Sequence, residues 1–315
     1  MGTTYSIRYV PVTGCPEPLE MQRLIDNELD CVNLQMSTYR NDSELTRFND
    51  SRSNDWFSVS IETAKVVELA QEIAIASNGA FDVTVGPLVN LWGFGPEGRK
   101  EEIPSDEIVE AVKALVGYRN LDVRLEPPAL KKSLPELRVD LSAIAKGHGA
   151  DRVSDLLNAR GIKDSFVEIG GEIVTQGNRA DGESWQIGIE APVDFERSIQ
   201  VVIGLSGESL ATSGDYRNFF QRDGQRFSHT IDPSTGRPVS HQLASASVVA
   251  DNCALADAIA TCLMVMGPTG GLQLAETNGW CVLLIQRSDG EMVSTYSKSF
   301  ATRFPNVCNQ IGDRK

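Results

Sequence analysis

The sequence predicts an α+β fold, a mixed α/β single compact unit, with two lobes and the active site in the cleft between them as the open variant. Three observations lead there. Helical periodicity runs through residues 19–36, 60–79 and 105–117, with strand-like alternation around it. After residue 200, Asp-Gly hairpins are mixed with one long apolar helix instead of alternating strictly with helices. No low-complexity linker divides the 315 residues, a length that supports one large or two ordinary domains.

Taken in order, "TYSIRYV" near the start alternates like a strand. Leu24, Ile25, Leu29, Val32 and Met36 form the stripe of an amphipathic helix. A second helix has Ser60 as N-cap and Gly79 past its end, and a third runs from about Ser105 to Gly117. "ELRVDLSAI" reads as a strand that gives way near Lys146 to a helix ending at Gly161. "SFVEIGGEIVTQG" and "WQIGIEAP" read as strands. "RNFFQRDGQRFSHT" is two strands joined across Asp223-Gly224, and "CVLLIQRSDGEMVSTY" repeats the device at Asp289-Gly290, because D-G favours tight hairpin turns. Between them "DNCALADAIATCLMVMG" is a helix opened by Asp251 or Asn252 and stopped near Gly267.

Acidic residues outnumber basic ones 43 to 29, a formal net charge of −14. That balance argues against nucleic acid held on a broad basic face, which works by neutralising phosphates, and against a polybasic lipid patch. It leaves room for a basic pocket around one phosphorylated ligand, where an acidic protein would recruit a divalent cation. None of the six cysteines is spaced C-x-x-C, which speaks against a zinc ribbon or a thioredoxin-type site and leaves disulfides and redox compartment open. No apolar run approaches the roughly 20 residues that span a bilayer, and "MGTTYSIRYV" lacks the plan of a signal peptide.

Four places could carry chemistry. Asp257 lies in "ALADAIATCLMVM", a helix apolar or small all round, which is normally buried. A buried carboxylate needs a partner. Thr261, one turn on, gives a second hard oxygen on the same face, a pair that suits Mg²⁺. The competing reading is an Asp capping a neighbouring loop and a Thr bonded to its own helix. In "VDLSAIAKGHGAD", Lys146 and two glycines open a helix where N–H groups can hold an anion; a plain strand-to-helix turn would look the same. In "NGAFDVTVGPLVNLWGFG", Phe81, Trp92 and Phe94 with Asp82 and glycines could line a pocket for a ring system, or be core. Last, "HTIDPSTGRPV" sets His229, one of only three histidines, at a strand end before a strong turn. A lone His is more often structural, and nothing nearby completes a Ser-His-Asp triad. On these residues the reading is a Mg²⁺-dependent enzyme acting on a phosphorylated or dinucleotide ligand.

Together the segments resemble the FAD:protein FMN transferases, the ApbE flavin transferase family. The matching stretches are "MGTTYSI", "STYRNDSELTRFN", "GAFDVTVGPLVNLWGFGP", "VDLSAIAKGHGAD", "VEIGGEI", "TSGDYRNFF", "SHTIDPSTGRPV" and "ADAIATCLMVMG", in the family's order from residue 1 to about residue 267. The resemblance implies one such domain over 1–315. It implies Mg²⁺-dependent cleavage of the substrate FAD, release of AMP, and attachment of FMN to a Thr or Ser of an acceptor protein. Carried over by motif, Asp257, Thr261 and the backbone carbonyl of Ala143 would ligate Mg²⁺. Met1, Tyr39, Ala80, Phe81, Asp82, Asp140, Lys146 and Ile231 would surround FAD, and His229 with Asp257 would be catalytic. Some members carry another acid where this chain has Ala260. Members that hydrolyse FAD without an acceptor look to have Asn where this chain has Tyr39, which favours transfer; a FAD-binding redox protein is the remaining alternative. The resemblance further implies acceptors with a D-x-x-[ST]-G-A-T motif, namely flavinylated subunits of membrane redox complexes. It also implies a place on the periplasmic side of the inner membrane through a lipid anchor outside this chain.

Overall fold

The computed structural model describes residues 2–95, 98, 102–192, 198–215, 219–222 and 225–312. The chain forms two compact units. One comprises Met1–Asp30, Lys146–Arg217 and His241–Lys315, the other Cys31–Ala145 and Asn218–Ser240. The expected mixture of helix and sheet is present, and it is divided between these units.

The chain begins with β1 (Tyr5–Tyr9), which alternates as its sequence predicts, and α1 (Pro18–Met36). α2 (Glu44–Asp50) follows, capped by Ser43, whose hydroxyl accepts the Thr46 N–H at 3.0 Å. Then come β2 (Phe57–Ser58) and α3 (Ile61–Ala76), which starts at the expected cap Ser60. α4 (Gly86–Leu91) and α5 (Asp106–Lys113) are short. α5 stops before Gly117 because Leu115 and Val116 donate to residues three back, tightening the last turn. A hairpin of β3 (Leu121–Leu125) and β4 (Pro128–Lys132) leads on to α6 (Ala145–Ala159).

β5 (Ser165–Ile169) and β6 (Glu172–Gln176) are joined by Gly170 and Gly171, both at positive φ (63° and 104°), a conformation glycine adopts without steric cost. β7 (Trp185–Glu190), β8 (Ile199–Leu205) and β9 (Ser209–Gly214) follow. β10 (Phe219–Arg222) and β11 (Gln225–Ser228) pair as expected, although their Asp223-Gly224 turn lies outside the described residues. β12 (Ile231–Asp232) and β13 (Arg237–Pro238) flank the "DPSTG" turn. β14 (Leu243–Ala250), α7 (Cys253–Asn278), β15 (Cys281–Ser288), β16 (Glu291–Tyr296), α8 (Lys298–Arg303) and α9 (Pro305–Gly312) complete the chain.

The first unit is built on a seven-stranded antiparallel sheet in the order β1-β5-β6-β9-β14-β15-β16. Successive residues serve two cores. Val174 packs with Met21, Ile25, Val153 and Leu157 of α1 and α6, while its neighbour Ile173 packs with Ile187, Ile203, Phe300 and Phe304. Buried on both faces, a strand such as β14 shows no alternation; it reads as a run of Ala, Ser and Val and escaped the sequence analysis. In the second unit Leu88, Trp92, Val109, Phe220, Phe227 and Ile231 form one core cluster. Each such side chain contributes about 1.5–3 kcal/mol by leaving water.

Two expectations are corrected. The stretch 136–144 is no strand. Both Val139 backbone groups bond the Asn49 side chain (2.7 and 2.8 Å), and the Asp140 N–H donates to the Val83 carbonyl at 2.7 Å. A side-chain amide and one backbone bond take the place of a ladder. Likewise α7, capped by Asn252, does not end at Gly267 (φ 75°, ψ 179°) but resumes at Pro268. Proline removes the donor that would bond the Met264 carbonyl, and His241 Nε2 bonds that carbonyl instead at 2.9 Å.

By length and composition α7 could cross a membrane, with a mean hydropathy of 1.4, yet 61% of that stretch is buried, and the helix packs on β9, β14 and β15. The six cysteines are free thiols; Cys253, Cys262 and Cys308 are buried and Cys31 is exposed.

Candidate active site

In the first unit, Lys146 and Gly147 occupy the first turn of α6, and Asp257 and Thr261 lie one turn apart on α7. Asp257 is 1% exposed. Its oxygens accept from the Lys146 ammonium at 3.2 and 3.3 Å and from the Gly147 N–H at 3.1 Å. Lys146 Nζ also meets Glu172 Oε1 on β6 at 3.1 Å. Close approach of the two helices requires Gly147: a Cβ there would overlap the Cys253 carbonyl and lie 2.8 Å from Ala254 N. The Thr261 hydroxyl pairs with that of Ser213 on β9 at 3.2 Å.

Two buried carboxylates thus share one ammonium. Burial alone would push the Lys146 ammonium down, but Asp257 and Glu172 outweigh it and hold the group above its ordinary value. Glu172 is pushed up to about 8, first by burial and then by the Asp257 charge, against the pull of Lys146. Its Oε2 is buried without a hydrogen-bond partner. With both carboxyls ionised, the cluster is therefore short of positive charge and of donors.

Among the described residues, no three His, Cys, Asp or Glu side chains gather into a metal site. A cation on Asp257 must complete its shell from hydroxyl, carbonyl and water oxygens, which is hard-cation chemistry of the Mg²⁺ type. The residues fit such an ion: an ionised carboxylate has about four acceptor sites, so Asp257 can keep its Gly147 bond and still ligate, with the Thr261 hydroxyl one turn away.

The other predicted residues that are described lie in the second unit. Asp140 is half-buried, and its Oδ1 accepts the Ser142 N–H at 2.9 Å and the Ser142 hydroxyl at 2.5 Å. Ala143 lies in the turn that follows, where the Ile144 and Ala145 N–H groups both donate to Leu141. The carboxylate of Asp82 is committed internally, accepting from the Thr84 N–H (2.7 Å) and hydroxyl (2.6 Å) and from the Tyr118 N–H (2.8 Å). Burial still holds that carboxyl above its ordinary value. Phe81 and Ile231 are buried, Ala80 half-buried, and Tyr39 70% exposed. Met1 lies outside the described residues.

His229 stands one residue past β11, half-exposed, edge-on to Phe94 with ring centroids 6.4 Å apart. Behind it Phe94 stacks on Phe220 and Trp92 on Phe227. Trp92 Nε1 donates to the Gly236 carbonyl at 2.8 Å, and Asp232 Oδ1 accepts the Ser234 N–H at 2.8 Å, which together fix the turn after His229. The aromatic run "LWGFG" is thus largely a frame for that turn.

Three residues with a place in the first unit's cluster were missed from sequence: Glu172, Ser213 and Asp151. Strand parity held a signal for Glu172, since it shares a face with Val174, which packs under the helices. Asp151 is pushed up to about 6, chiefly by burial.

The ApbE family model matches residues 1–284. A FAD:protein FMN transferase of Vibrio cholerae is 48% identical over 95% of this chain and 89% of its own length. One of Escherichia coli is 39% identical over 94% of this chain and 84% of its own. The solved structure of the flavin transferase ApbE from Vibrio cholerae superposes with a TM-score of 0.89 at 47% identity, covering 96% of each chain. The apo flavinyl transferase ApbE of Pseudomonas stutzeri gives 0.88 at 39% identity, covering 96% of this chain and 94% of that one. On the extent of these matches, the chain belongs to the ApbE family.

Proposed function

We propose that the protein, read as one domain over 1–315, is an FAD:protein FMN transferase. It takes FAD, transfers FMN to a Thr or Ser hydroxyl of an acceptor protein, and releases AMP. The acceptor oxygen forms a bond to the FMN-side phosphorus, the bond from that phosphorus to the AMP oxygen breaks, and the hydroxyl proton is lost. Such a transfer depends on alignment and on offsetting phosphate charge. The observation that carries the reading is the buried cluster of Lys146, Asp257 and Glu172, one ammonium against two carboxylates, in a chain so similar to named FAD:protein FMN transferases.

Asp257 and Thr261 would hold Mg²⁺ with the Ala143 carbonyl. Bound there, the ion would supply the positive charge that the cluster lacks and that a pyrophosphate requires. Lys146 would bind the ligand's phosphates, and Asp140 would orient the ligand by a hydrogen bond. Tyr39 would lie against the flavin end, with Met1, Ala80, Phe81, Asp82 and Ile231 lining the rest. Phe81 and Asp82, whose side chains are turned inward, would contribute backbone. His229 would accept the acceptor's hydroxyl proton or position the phosphate. Acceptors would carry a D-x-x-[ST]-G-A-T motif and belong to membrane redox complexes on the periplasmic side of the inner membrane; this rests on motif resemblance.

The test is to mix the protein with FAD, Mg²⁺ and an acceptor domain bearing that motif, and to weigh the acceptor with and without chelator. An FMN-sized adduct that chelator abolishes is the expected outcome. FMN and AMP in solution with an unmodified acceptor would turn the reading to hydrolysis, and intact FAD would overturn it.

A further inference from the structure

A third acid holds the helix that carries Asp257. Asp151 on α6 accepts the Cys253 N–H at 2.8 Å with one oxygen and the Ala254 N–H at 2.9 Å with the other. Asn252 accepts the Leu255 N–H at 2.9 Å. The first three N–H groups of α7, which have no partner within the helix, are thereby all bonded. A carboxylate at that end also meets the positive pole of the helix.

Asp151 lies one turn after Gly147, on the same face of α6. Gly147 admits the Cys253 carbonyl, and its N–H reaches Asp257 at 3.1 Å. Asp257 and Thr261 stand four and eight residues beyond Cys253. The two helices are therefore fastened at two points, and the ion pair of Lys146 with Asp257 hangs between them. Rise and rotation are fixed along a helix, so the clamp on its first turn decides where the Asp257 carboxylate arrives. A slip of about 1 Å would take the 3.2 Å contact of Lys146 with Asp257 out of hydrogen-bonding range.

We infer that Asp151 is a positioning residue of the proposed cation site: its carboxylate fixes α7 against α6 so that Asp257 meets Lys146 and, with Thr261, presents its oxygens. The inference rests on the reading of Asp257 and Thr261 as ligands.

The experiment compares wild type with Asp151→Ala and with Asp151→Asn, which keeps one acceptor. Three quantities are measured: melting temperature, the Mg²⁺ and FAD concentrations that half-saturate FMN transfer, and labelling of Lys146 by an amine reagent in metal-free buffer, read by mass spectrometry. In Asp151→Ala the half-saturating Mg²⁺ concentration should rise about tenfold or more, with that for FAD within twofold. Lys146 labelling should rise several-fold as its partner withdraws, and Asp151→Asn should fall between on both readouts. A folded Asp151 variant, Asn or Ala, with wild-type Mg²⁺ dependence and wild-type Lys146 labelling would overturn the proposal, even if its melting temperature dropped. Should wild type transfer FMN without any cation, the metal reading fails by itself, while the labelling comparison still decides whether Asp151 sets the place of Asp257.

Discussion

Each unit sets one lysine among buried partners, Lys146 partly exposed and Lys132 wholly buried, and the two are treated oppositely. Lys146 meets two carboxylates, which hold its ammonium above the ordinary value. Lys132 is fully buried, forms no ion pair with a carboxylate among the described residues, and donates to the carbonyls of Phe48, Asn49 and Leu137 at 3.3, 3.2 and 3.0 Å. Burial, then the charges of Arg138 and Arg52, pushes it down to about 8. Neutral dipoles satisfy the Lys132 ammonium and brace the stretch leading to Asp140; they offer nothing to exchange. Lys146 instead has charged partners, and on the proposed function its cluster is the one that a cation or a phosphate would enter. The two lysines thus differ in partners, neutral carbonyls against carboxylates, as well as in exposure, since the Lys146 side chain keeps 31% of its surface and Lys132 none.

The comparison can be broken most forcibly at Asp257. Asp257→Ala should lower FMN transfer on the order of 10³-fold or more, about 4 kcal/mol of barrier, read as acceptor adduct formed per minute. Wild-type rates in that variant would take the cation site out of the reading. His229→Ala asks whether the second unit contributes chemistry as well as support. FAD affinity should persist, by fluorescence titration, while transfer falls roughly 10²-fold; an unchanged rate makes this His structural.

Lys132→Met sharpens the other side. It leaves three carbonyls short of a donor, and urea denaturation should show a loss of about 2–3 kcal/mol, with transfer per folded molecule retained. Loss of transfer without loss of stability would merge the two lysines into one class.

The smallest effects come with pH. Glu172 has its folded pKa raised from 4.5 to about 8, so its contribution to stability is full below 4.5 and is lost as pH climbs towards 8. Lys132 has its folded pKa lowered from 10.5 to about 8, so its burial penalty is full below 8 and is relieved as pH climbs to 10.5. In metal-free denaturation curves, Glu172→Gln should flatten the first slope and Lys132→Met the second; if neither slope responds, these assignments are wrong.

Much of this was legible in sequence, for definite reasons. Asp257 stood out because an acid inside an apolar helix is costly, and Ser60 and the pair Asp251 or Asn252, of which Asn252 is the cap, because caps are local chemistry. What escaped was non-local. Nothing in spacing links Lys146 to Glu172, or Asp151 to the start of α7, since the sheet order and a glycine contact bring them together. The stretch through Val139 imitated a strand because Leu137, Val139 and Leu141 are buried at every second position; only the fold shows that Asn49 takes the ladder's place. At Gly267 a stop signal was read correctly, but Pro268 is also a good first residue for the next helix.

The unbridged cysteines carry a consequence for redox chemistry. Burial raises the Cys253 thiol well above its ordinary value, takes Cys281 to about 12, and raises Cys308. Only the thiolate attacks oxidants and disulfides at a useful rate, so these three stay protonated and inert. Among the described residues the exposed thiol is Cys31, on α1. An oxidising medium, or a chemist with a maleimide, would meet this protein first at that one sulfur, leaving the packed interior chemically silent.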